Sequence, residues 1–341
     1  MMHPTELAAR LAGSPHVSLA QLPTPLDVVP RLGAAIGLPS LRVKRDDLTG
    51  FALGGNKSRQ LEYLMGEARS NGATAIVTGA GVDSNHLRHT AAACARLGMK
   101  ACLLVRGERP AQVEGNLLLD GIFGAECRFL GERFYADFAT SAERWSQELR
   151  EGGETPYLID TLGNDSRSLG VAALGYVQAA LELEEQFAAQ GWRPELICLC
   201  SGGASQAGLL AAKHALGASW EVLGISASPF IQGKDEIMAK VATRALRLLG
   251  LGATVTSRDV TNLDAYIGTA YGVPTPESRD ALLLAARTEG LLLDPTYTSK
   301  ALAGLIDRRR RGLVDEHANI LFIHTGGAPN LFLGRNAQIG S

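Results

Sequence analysis

A lysine in a glycine-rich segment, residues 50–58, is the residue of this chain best placed for amine chemistry. A helical pattern follows the segment, so Lys57 should lie beside the free N–H groups of a helix start. The positive potential there favours the neutral amine that Schiff-base formation requires. A surface lysine at a helix start is the simpler alternative. ATP binding is disfavoured, because Asn56 interrupts the P-loop pattern and no apolar strand precedes it.

A second glycine-rich segment, residues 78–86, directly follows a predicted strand. Gly79 and Gly81 begin a dinucleotide fingerprint, but Ser84 stands where its third glycine is needed, so the signal for NAD is weak. Ser84 is instead predicted as the N-cap of a helix, whose start, with Asn85, offers donors to a carboxylate or phosphate. Ser84 could also be a cap and nothing more.

The third glycine-rich segment, residues 200–208, allows two interpretations. One is the nucleophile elbow of a serine hydrolase using Ser205, with Asp294 and either His317 or His324 as partners. The other is a cup of backbone donors and hydroxyls at a helix start, suited to a terminal phosphate. The residues of this cup are Ser201, Gly202, Gly203, Ala204 and Ser205.

The three segments together favour one kind of cofactor. Two helix starts suited to anions and one loop lysine indicate a phosphorylated cofactor that a lysine can hold covalently. Pyridoxal phosphate fits this description.

The elements that must position these segments are short apolar runs alternating with helical patterns. This order predicts an α/β fold with a parallel sheet covered on both faces. The predicted strands cover residues 74–78, 101–105, 126–130, 195–199, 221–225 and 320–324.

Length and composition restrict the class of protein. The 341 residues suffice for about two domains, and 33 Lys+Arg against 35 Asp+Glu give a net charge of −2. This balance gives no support for a nucleic-acid or membrane partner. No signal peptide or transmembrane run is visible, and the five cysteines lie in apolar surroundings as expected for reduced thiols. We therefore expect a cytoplasmic protein without a metal site.

Five motifs in order along the chain carry a family resemblance. They are residues 43–50 (VKRDDLTG), 54–59 (GGNKSR), 84–86 (SNH), 294–298 (DPTYT) and 324–329 (HTGGAP). Over residues 22–333 the chain resembles the D-cysteine desulfhydrase and 1-aminocyclopropane-1-carboxylate (ACC) deaminase family. These enzymes use pyridoxal phosphate and belong to the tryptophan-synthase-β-like, fold-type-II group.

The resemblance implies an α/β fold of two domains, with mostly parallel sheets covered by helices and pyridoxal phosphate in the cleft between the domains. The large domain would combine residues 1–59 and 172–341, and the small domain would hold residues 60–171. It also implies a homodimer.

The resemblance further implies roles for the candidate residues. Lys57 matches the lysine that binds the cofactor covalently and later moves the Cα proton of the substrate. Asn85 matches the residue that bonds the phenolic oxygen of the cofactor, and Ser84 would hold the substrate carboxylate. The five residues of the cup match the phosphate-binding segment. Tyr271 and Tyr297 match two tyrosines that flank the substrate.

Within the family that the chain resembles, Thr298 and Thr325 stand at positions that distinguish the deaminase type from the desulfhydrase type. The resemblance implies that Thr298 lies where a side chain contacts the pyridine nitrogen of the cofactor. In deaminase-type members the residue at this position looks like a glutamate. A hydroxyl is more typical of the desulfhydrase type, and Thr325 also resembles that type. Asp83 stands where the family usually has Gln, which puts a carboxylate next to the expected substrate site.

The predicted activity is β-elimination from D-cysteine or a related β-substituted amino acid, giving pyruvate, ammonia and a leaving group such as sulfide. L-cysteate sulfo-lyase and ACC deaminase are alternatives within the same chemistry. A pyridoxal-phosphate-binding protein without turnover and a serine hydrolase using Ser205 are alternatives from other classes. The only expected partner besides a second copy of the chain is a small amino acid substrate.

Overall fold

The structure, a computed structural model, describes residues 2–162, 167–201, 203–228 and 233–339. Gly202, one of the predicted cup residues, lies outside this part of the chain. The strands in the described part are β1 Leu26–Val28, β2 Arg42–Lys44, β3 Ala75–Gly81, β4 Lys100–Arg106, β5 Glu126–Phe129, β6 Pro156–Ile159, β7 Leu196–Cys200, β8 Glu221–Ile225, β9 Thr261–Leu263 and β10 Ile320–Ile323.

Helices separate most of these strands, as the alternating pattern predicts. They are α1 Pro4–Ala12, α2 Pro30–Ile36, α3 Asn56–Ser70, α4 Asn85–Leu97, α5 Gly115–Ile122, α6 Phe134–Glu151, α7 Arg167–Ala189, α8 Ala204–Leu216, α9 Lys234–Leu248, α10 Pro276–Glu289 and α11 Thr298–Arg310. Within the described residues, no helix has both the length and the apolar character that crossing a membrane would need.

The strands form two sheets. The larger has the order β1-β2-β10-β7-β8-β9, and only β1 pairs antiparallel to its neighbour. The smaller has the order β5-β4-β3-β6 and is parallel throughout. Because parallel strands end at one edge of a sheet, the segments after β7 and β10 lie together, and so do those after β3 and β4.

The helix after β3 begins where the sequence predicts. Ser84 caps α4 by accepting a hydrogen bond from the backbone N–H of His86 at 3.1 Å. Gly98 ends the helix in the left-handed conformation with φ 69°, which favours glycine. The cap therefore fixes where Asn85 enters the helix.

All six predicted strands are present to within one to three residues at their ends, but four further strands were not predicted. These are β1, β2, β6 and β9, which are three or four residues long. So short a run shows no clear alternation, and β1, β6 and β9 lie at sheet edges where burial is incomplete.

A buried charged cluster lies where α3 and α7 pack together. The Arg59 guanidinium pairs with Asp46 at 2.8 Å and with Glu182 at 2.9 Å, and Lys44 pairs with Glu182. The Tyr176 hydroxyl donates to Asp46 at 2.7 Å. The opposite charges of Asp46 and Glu182 raise the pKa of Arg59 even though its burial acts in the other direction. The cluster fixes the turn of α3 that directly follows Lys57.

The strands of the small sheet all fall within residues 60–171, and those of the large sheet fall outside this range. Both α3 and α7 cross the predicted boundaries, and the two helices pack against each other. The domain boundaries themselves stay a prediction.

Candidate active site

A cavity of about 310 Å³ lies where the carboxyl ends of strands from both sheets come together with the starts of α3, α4 and α8. Ten of the predicted site residues line it: Lys57, Ser84, Asn85, Ser201, Gly203, Ala204, Ser205, Tyr271, Tyr297 and Thr325. The structure thus collects residues from all the segments that the sequence singles out. The role of each residue stays a prediction.

Two glycines before α3 bring Lys57 into the cavity wall. Gly54 has φ 72° and Gly55 has φ 128°, conformations that side chains rarely adopt. A Cβ atom on Gly54 would also lie 1.8 Å from the carbonyl oxygen of Asp47. This close approach places Lys57 in the first turn of α3, as the sequence predicts.

The amine of Lys57 has unusual surroundings for a lysine. Its Nζ donates to Gln60 Oε1 at 2.9 Å, and no carboxylate among the described residues pairs with it. Burial lowers the pKa of Lys57 to about 8, while the nearby Cys200 thiol acts in the opposite direction. A neutral, nucleophilic amine is therefore accessible near physiological pH.

The start of α8 exposes backbone donors. Gly203 is its N-cap and provides no side chain, while Ser201 Oγ accepts from the N–H groups of Gly203 at 3.3 Å and Gln206 at 3.2 Å. The N–H groups of Ala204 and Ser205 have no acceptor among the described residues. Bare donors at a helix start are the arrangement that binds phosphate.

Gln60 connects this helix start to the lysine. Its Nε2 donates to Ser205 Oγ at 2.8 Å while its Oε1 accepts from Lys57. Asn56 Nδ2 also donates to Ser205 Oγ, at 2.9 Å. No histidine or carboxylate of the described residues is hydrogen-bonded to Ser205, so the base that a serine hydrolase needs is not found beside it.

The start of α4 has a different arrangement, in which a side chain is held by its neighbours. Asn85 Oδ1 accepts from Arg88 at 3.1 Å and from Asn116 at 3.0 Å. Its Nδ2 has no acceptor among the described residues and borders the cavity. Since both donors bind the oxygen, the amide N–H groups remain available to an oxygen in the cavity.

Two tyrosines form another part of the cavity wall. The hydroxyls of Tyr271 and Tyr297 are hydrogen-bonded to each other, and their rings meet edge to face with centroids 5.8 Å apart. Burial raises the pKa of both phenols, so both keep their protons at neutral pH.

The histidine nearest the lysine is not an acid at neutral pH. His86 Nε2 lies 3.0 Å from Thr78 Oγ1, and burial, with a smaller effect of Lys57, lowers the pKa of His86 to about 3. His86 is therefore neutral and is hydrogen-bonded to Thr78.

The two discriminating threonines are placed differently. Thr325 lines the cavity, whereas Thr298 is fully buried and does not contribute to the lining. Thr298 Oγ1 donates to Asp294 Oδ1 at 2.8 Å and accepts from the Asp294 N–H at 2.8 Å. Its hydroxyl is thus engaged with Asp294.

Comparisons with known proteins decide the family. Residues 17–326 match the model of a family described as pyridoxal-phosphate dependent enzyme. The chain belongs to this family of pyridoxal-phosphate dependent enzymes. It is 37% identical to the ACC deaminase of Burkholderia cenocepacia over 93% of this chain and 95% of that protein. It is 36% identical to the ACC deaminase of Rhizobium leguminosarum bv. viciae over 91% and 93%.

A solved structure described as an ACC deaminase homologue shares the fold of this pyridoxal-phosphate dependent enzyme. The TM-score is 0.85, with 36% sequence identity, and the match covers 97% of each chain. The predicted tryptophan-synthase-β-like α/β fold is confirmed. The chain is a lyase of the group that contains the ACC deaminases and D-cysteine desulfhydrases.

The residues of the cavity fit the cofactor of the family. Bare N–H groups at the start of α8 suit its phosphate, and the free Nδ2 of Asn85 suits its phenolic oxygen. Lys57 supplies the amine of lowered pKa that a covalent bond to an aldehyde requires. The predicted cofactor, pyridoxal phosphate, is confirmed by the family match.

Sequence reasoning missed the side chains that hold the others in place: Gln60, Asn56, Arg88 and Asn116. Gln60 and Arg88 carried a signal, since each lies three residues after its partner, Lys57 or Asn85, on a predicted helix and so shares its face. Asn116 comes from α5, about 30 residues from its partners along the chain, and nothing local in the sequence points to it.

Proposed function

We propose that the protein catalyses β-elimination from D-cysteine or a related β-substituted amino acid, releasing pyruvate, ammonia and the leaving group. The observation that carries this proposal is the pair of uncharged hydroxyls, Thr298 and Thr325, at the two discriminating positions. The Thr298 hydroxyl donates its only proton to Asp294. It therefore offers neither a carboxylate nor a free proton to a ring nitrogen.

Pyridoxal phosphate, when bound, supplies the electron sink that allows a Cα–H bond of an amino acid to break. Lys57 is the group that would remove this proton, because its amine is accessible to the cavity and its pKa lies close to physiological pH. The hydrogen bond to Gln60 gives the amine a fixed direction.

Ser84 and the first turn of α4 are proposed to bind the substrate carboxylate. The N–H groups of a first helical turn lack intrahelical acceptors, and the helix dipole adds a partial positive charge. Ser84 Oγ accepts one of these N–H groups, so the serine hydroxyl proton remains free for a carboxylate oxygen.

The pair of tyrosines is proposed to supply a proton to the leaving group. Both phenols are protonated, and one of the two hydroxyl protons lies between the oxygens. The other hydroxyl proton is therefore available at the cavity. A thiolate that leaves as hydrogen sulfide needs such a donor.

ACC deaminase activity is the second candidate. It is supported by the names of the relatives at 36–37% identity, which cover nearly the whole chain. Those names belong to other proteins, and the threonine at position 298 is the feature of this chain that favours elimination instead.

A substrate panel tests the proposal. Purified holoenzyme is incubated with D-cysteine, 3-chloro-D-alanine, L-cysteine, L-cysteate and ACC, and the keto acid and the leaving group are measured. We expect pyruvate from D-cysteine and 3-chloro-D-alanine, with sulfide or chloride in equal amount. 2-Oxobutyrate from ACC as the main product would overturn the proposal in favour of the second candidate.

The variant Thr298→Glu adds a control for the role of this position. It should lower elimination from D-cysteine, while Thr298→Ser, which keeps the hydroxyl, should preserve it. An unchanged product distribution in Thr298→Glu would show that the position does not govern the reaction type.

A further inference from the structure

The carboxylate of Asp83 lies directly before the start of α4, where the proposed function needs to accept an anion. Asp83 is the residue before Ser84, and its side chain is only 12% exposed. A carboxylate in this position would repel the carboxylate of a substrate bound to the same helix start. The chain therefore needs a means of offsetting this charge if α4 is to bind an amino acid.

Arg335 provides the opposite charge. Its Nη2 donates to Asp83 Oδ2 at 2.5 Å, and no other cation of the described residues lies within 4 Å of this carboxylate. Two other arginines of this region have other partners: Arg106 donates to the Tyr135 hydroxyl at 2.7 Å, and Arg88 donates to Asn85 and Asn116. The charge of Asp83 is thus paired by one residue, which comes from the opposite end of the chain.

The ion pair lies beside two segments that border the cavity, those of Ser84 and Tyr271. A Cβ atom on Gly272, the residue after Tyr271, would be 3.4 Å from both Arg335 Nη2 and Asp83 Oδ2. The segment that carries Arg335 is held in place beside it, because the Gly334 N–H donates to Glu114 at 2.8 Å. The backbone that carries Arg335 is therefore anchored to the residue that directly precedes α5.

We propose that Arg335 neutralises Asp83 and so allows the start of α4 to accept the carboxylate of the substrate. Arg335 acts through Asp83 and is a positioning residue. The inference rests on the proposed function, since it requires an amino acid carboxylate at α4. It also accounts for an acidic residue at position 83, because the pair as a whole adds no net charge beside Ser84.

Four variants test this pairing: Arg335→Gln, Arg335→Lys, Asp83→Asn and the double variant Asp83→Asn/Arg335→Gln. In Arg335→Gln the KM for the amino acid should rise about tenfold, the factor that corresponds to 1.4 kcal/mol, while kcat stays within about twofold. The double variant should recover a KM within about twofold of the wild type, because the uncompensated charge is gone. Arg335→Lys should lie between the wild type and Arg335→Gln.

A control is Arg133→Gln directly before α6, which breaks an exposed ion pair with Asp137 at 3.0 Å. Neither residue lines the cavity, so KM and kcat should not change. A double variant as impaired as Arg335→Gln would overturn the proposal. A fall in kcat without a rise in KM would overturn it too, since it would indicate a structural role for Arg335.

Calorimetric titration separates this inference from the proposed reaction. D-alanine has the carboxylate but no leaving group, and D-alaninamide lacks the negative charge. Arg335→Gln holoenzyme should bind D-alanine about tenfold more weakly than wild type, with D-alaninamide affected less than about twofold. Equal weakening of both ligands would overturn the inference. If no substrate of the panel yields pyruvate, the proposed reaction fails, while the titration still reports on Arg335.

Discussion

The helices α4 and α8 both begin at the cavity after a parallel strand, yet their first turns are built differently. Ser84 caps α4, and the neighbouring Asn85 is held by two donors. The start of α8 has Gly203 and leaves the N–H groups of the next two residues bare. A capped start presents oriented side chains, whereas an uncapped glycine start presents the backbone itself.

This difference indicates that the two helix starts bind different kinds of chemical group. A phosphate has several oxygens in all directions, so a cluster of backbone donors suits it. A carboxylate and a phenolic oxygen need one or two donors at fixed positions, which side chains supply. The start of α8 would therefore bind the phosphate of the cofactor, while at the start of α4 Asn85 would bind its phenolic oxygen and Ser84 would contribute to substrate affinity.

Removing the lysine that lies between the two helix starts should have the largest effect. Lys57→Ala should lower turnover at least about 1,000-fold, because the base is lost. Both helix starts remain, so the variant should still bind pyridoxal phosphate, but reversibly on dialysis. The measurements are pyruvate release and cofactor absorbance before and after dialysis. Lys57→Arg keeps the charge and should be equally inactive; a variant with more than a tenth of wild-type activity would contradict the assignment.

The pH dependence of cofactor uptake by the apo-protein should be the next largest effect. The pKa of Lys57, lowered to about 8, means that its neutral form dominates above this pH and becomes scarcer below it. The rate of covalent uptake should therefore fall about tenfold per pH unit below pH 8 and level off above it. Stopped-flow absorbance measures this rate. A midpoint near 10.5, the ordinary value of a lysine, would show that burial does not act on this amine.

A variant at the start of α8 should weaken cofactor binding without changing substrate binding. Ser205→Ala removes the acceptor of the buried Gln60 and the half-buried Asn56, and with it two hydrogen bonds that join the start of α8 to α3. Each lost hydrogen bond is worth about 0.5–1.5 kcal/mol, so the Kd for pyridoxal phosphate should rise about tenfold. The KM for the amino acid, measured at saturating cofactor, should not change. Equal effects on the cofactor Kd and the substrate KM would show that the two helix starts do not act separately.

The smallest effect is expected at the cap of α4. Ser84→Ala should lower the free energy of unfolding by about 1 kcal/mol and raise the substrate KM a few-fold, with the cofactor Kd unchanged. Ser84→Asp keeps a capping oxygen, so it should retain the stability of the wild type. It adds a negative charge, however, and should raise KM further than Ser84→Ala. If KM followed stability in both variants, Ser84 would be a cap alone.

The local features of this site could be predicted from the sequence. The N-cap Ser84, the helix end at Gly98 and the lysine after two glycines each depend on a few adjacent residues. The six strands that the sequence predicts follow from the same kind of local signal, since an apolar run of about five residues is visible without knowledge of its neighbours.

The features that escaped prediction depend on residues distant along the chain. Asn116 reaches Asn85 from another helix, and Arg335 reaches Asp83 across about 250 residues. The engagement of Thr298 with Asp294 has a local origin, but the sequence does not show that the hydroxyl turns toward that carboxylate. The homodimer and the cytoplasmic location implied by the sequence stay predictions.

The buried charges behind Lys57 limit which sequences this fold can tolerate. Arg59 holds Asp46 and Glu182 at once, and losing it would leave Asp46 without a cation and Glu182 with Lys44 alone, at a cost of about 3–5 kcal/mol. A single substitution at any of these four positions is therefore worse than replacing all four together by apolar residues. Stepwise substitution in this cluster would therefore pass through destabilised variants. A redesign of the contacts that support α3 should replace the whole cluster at once.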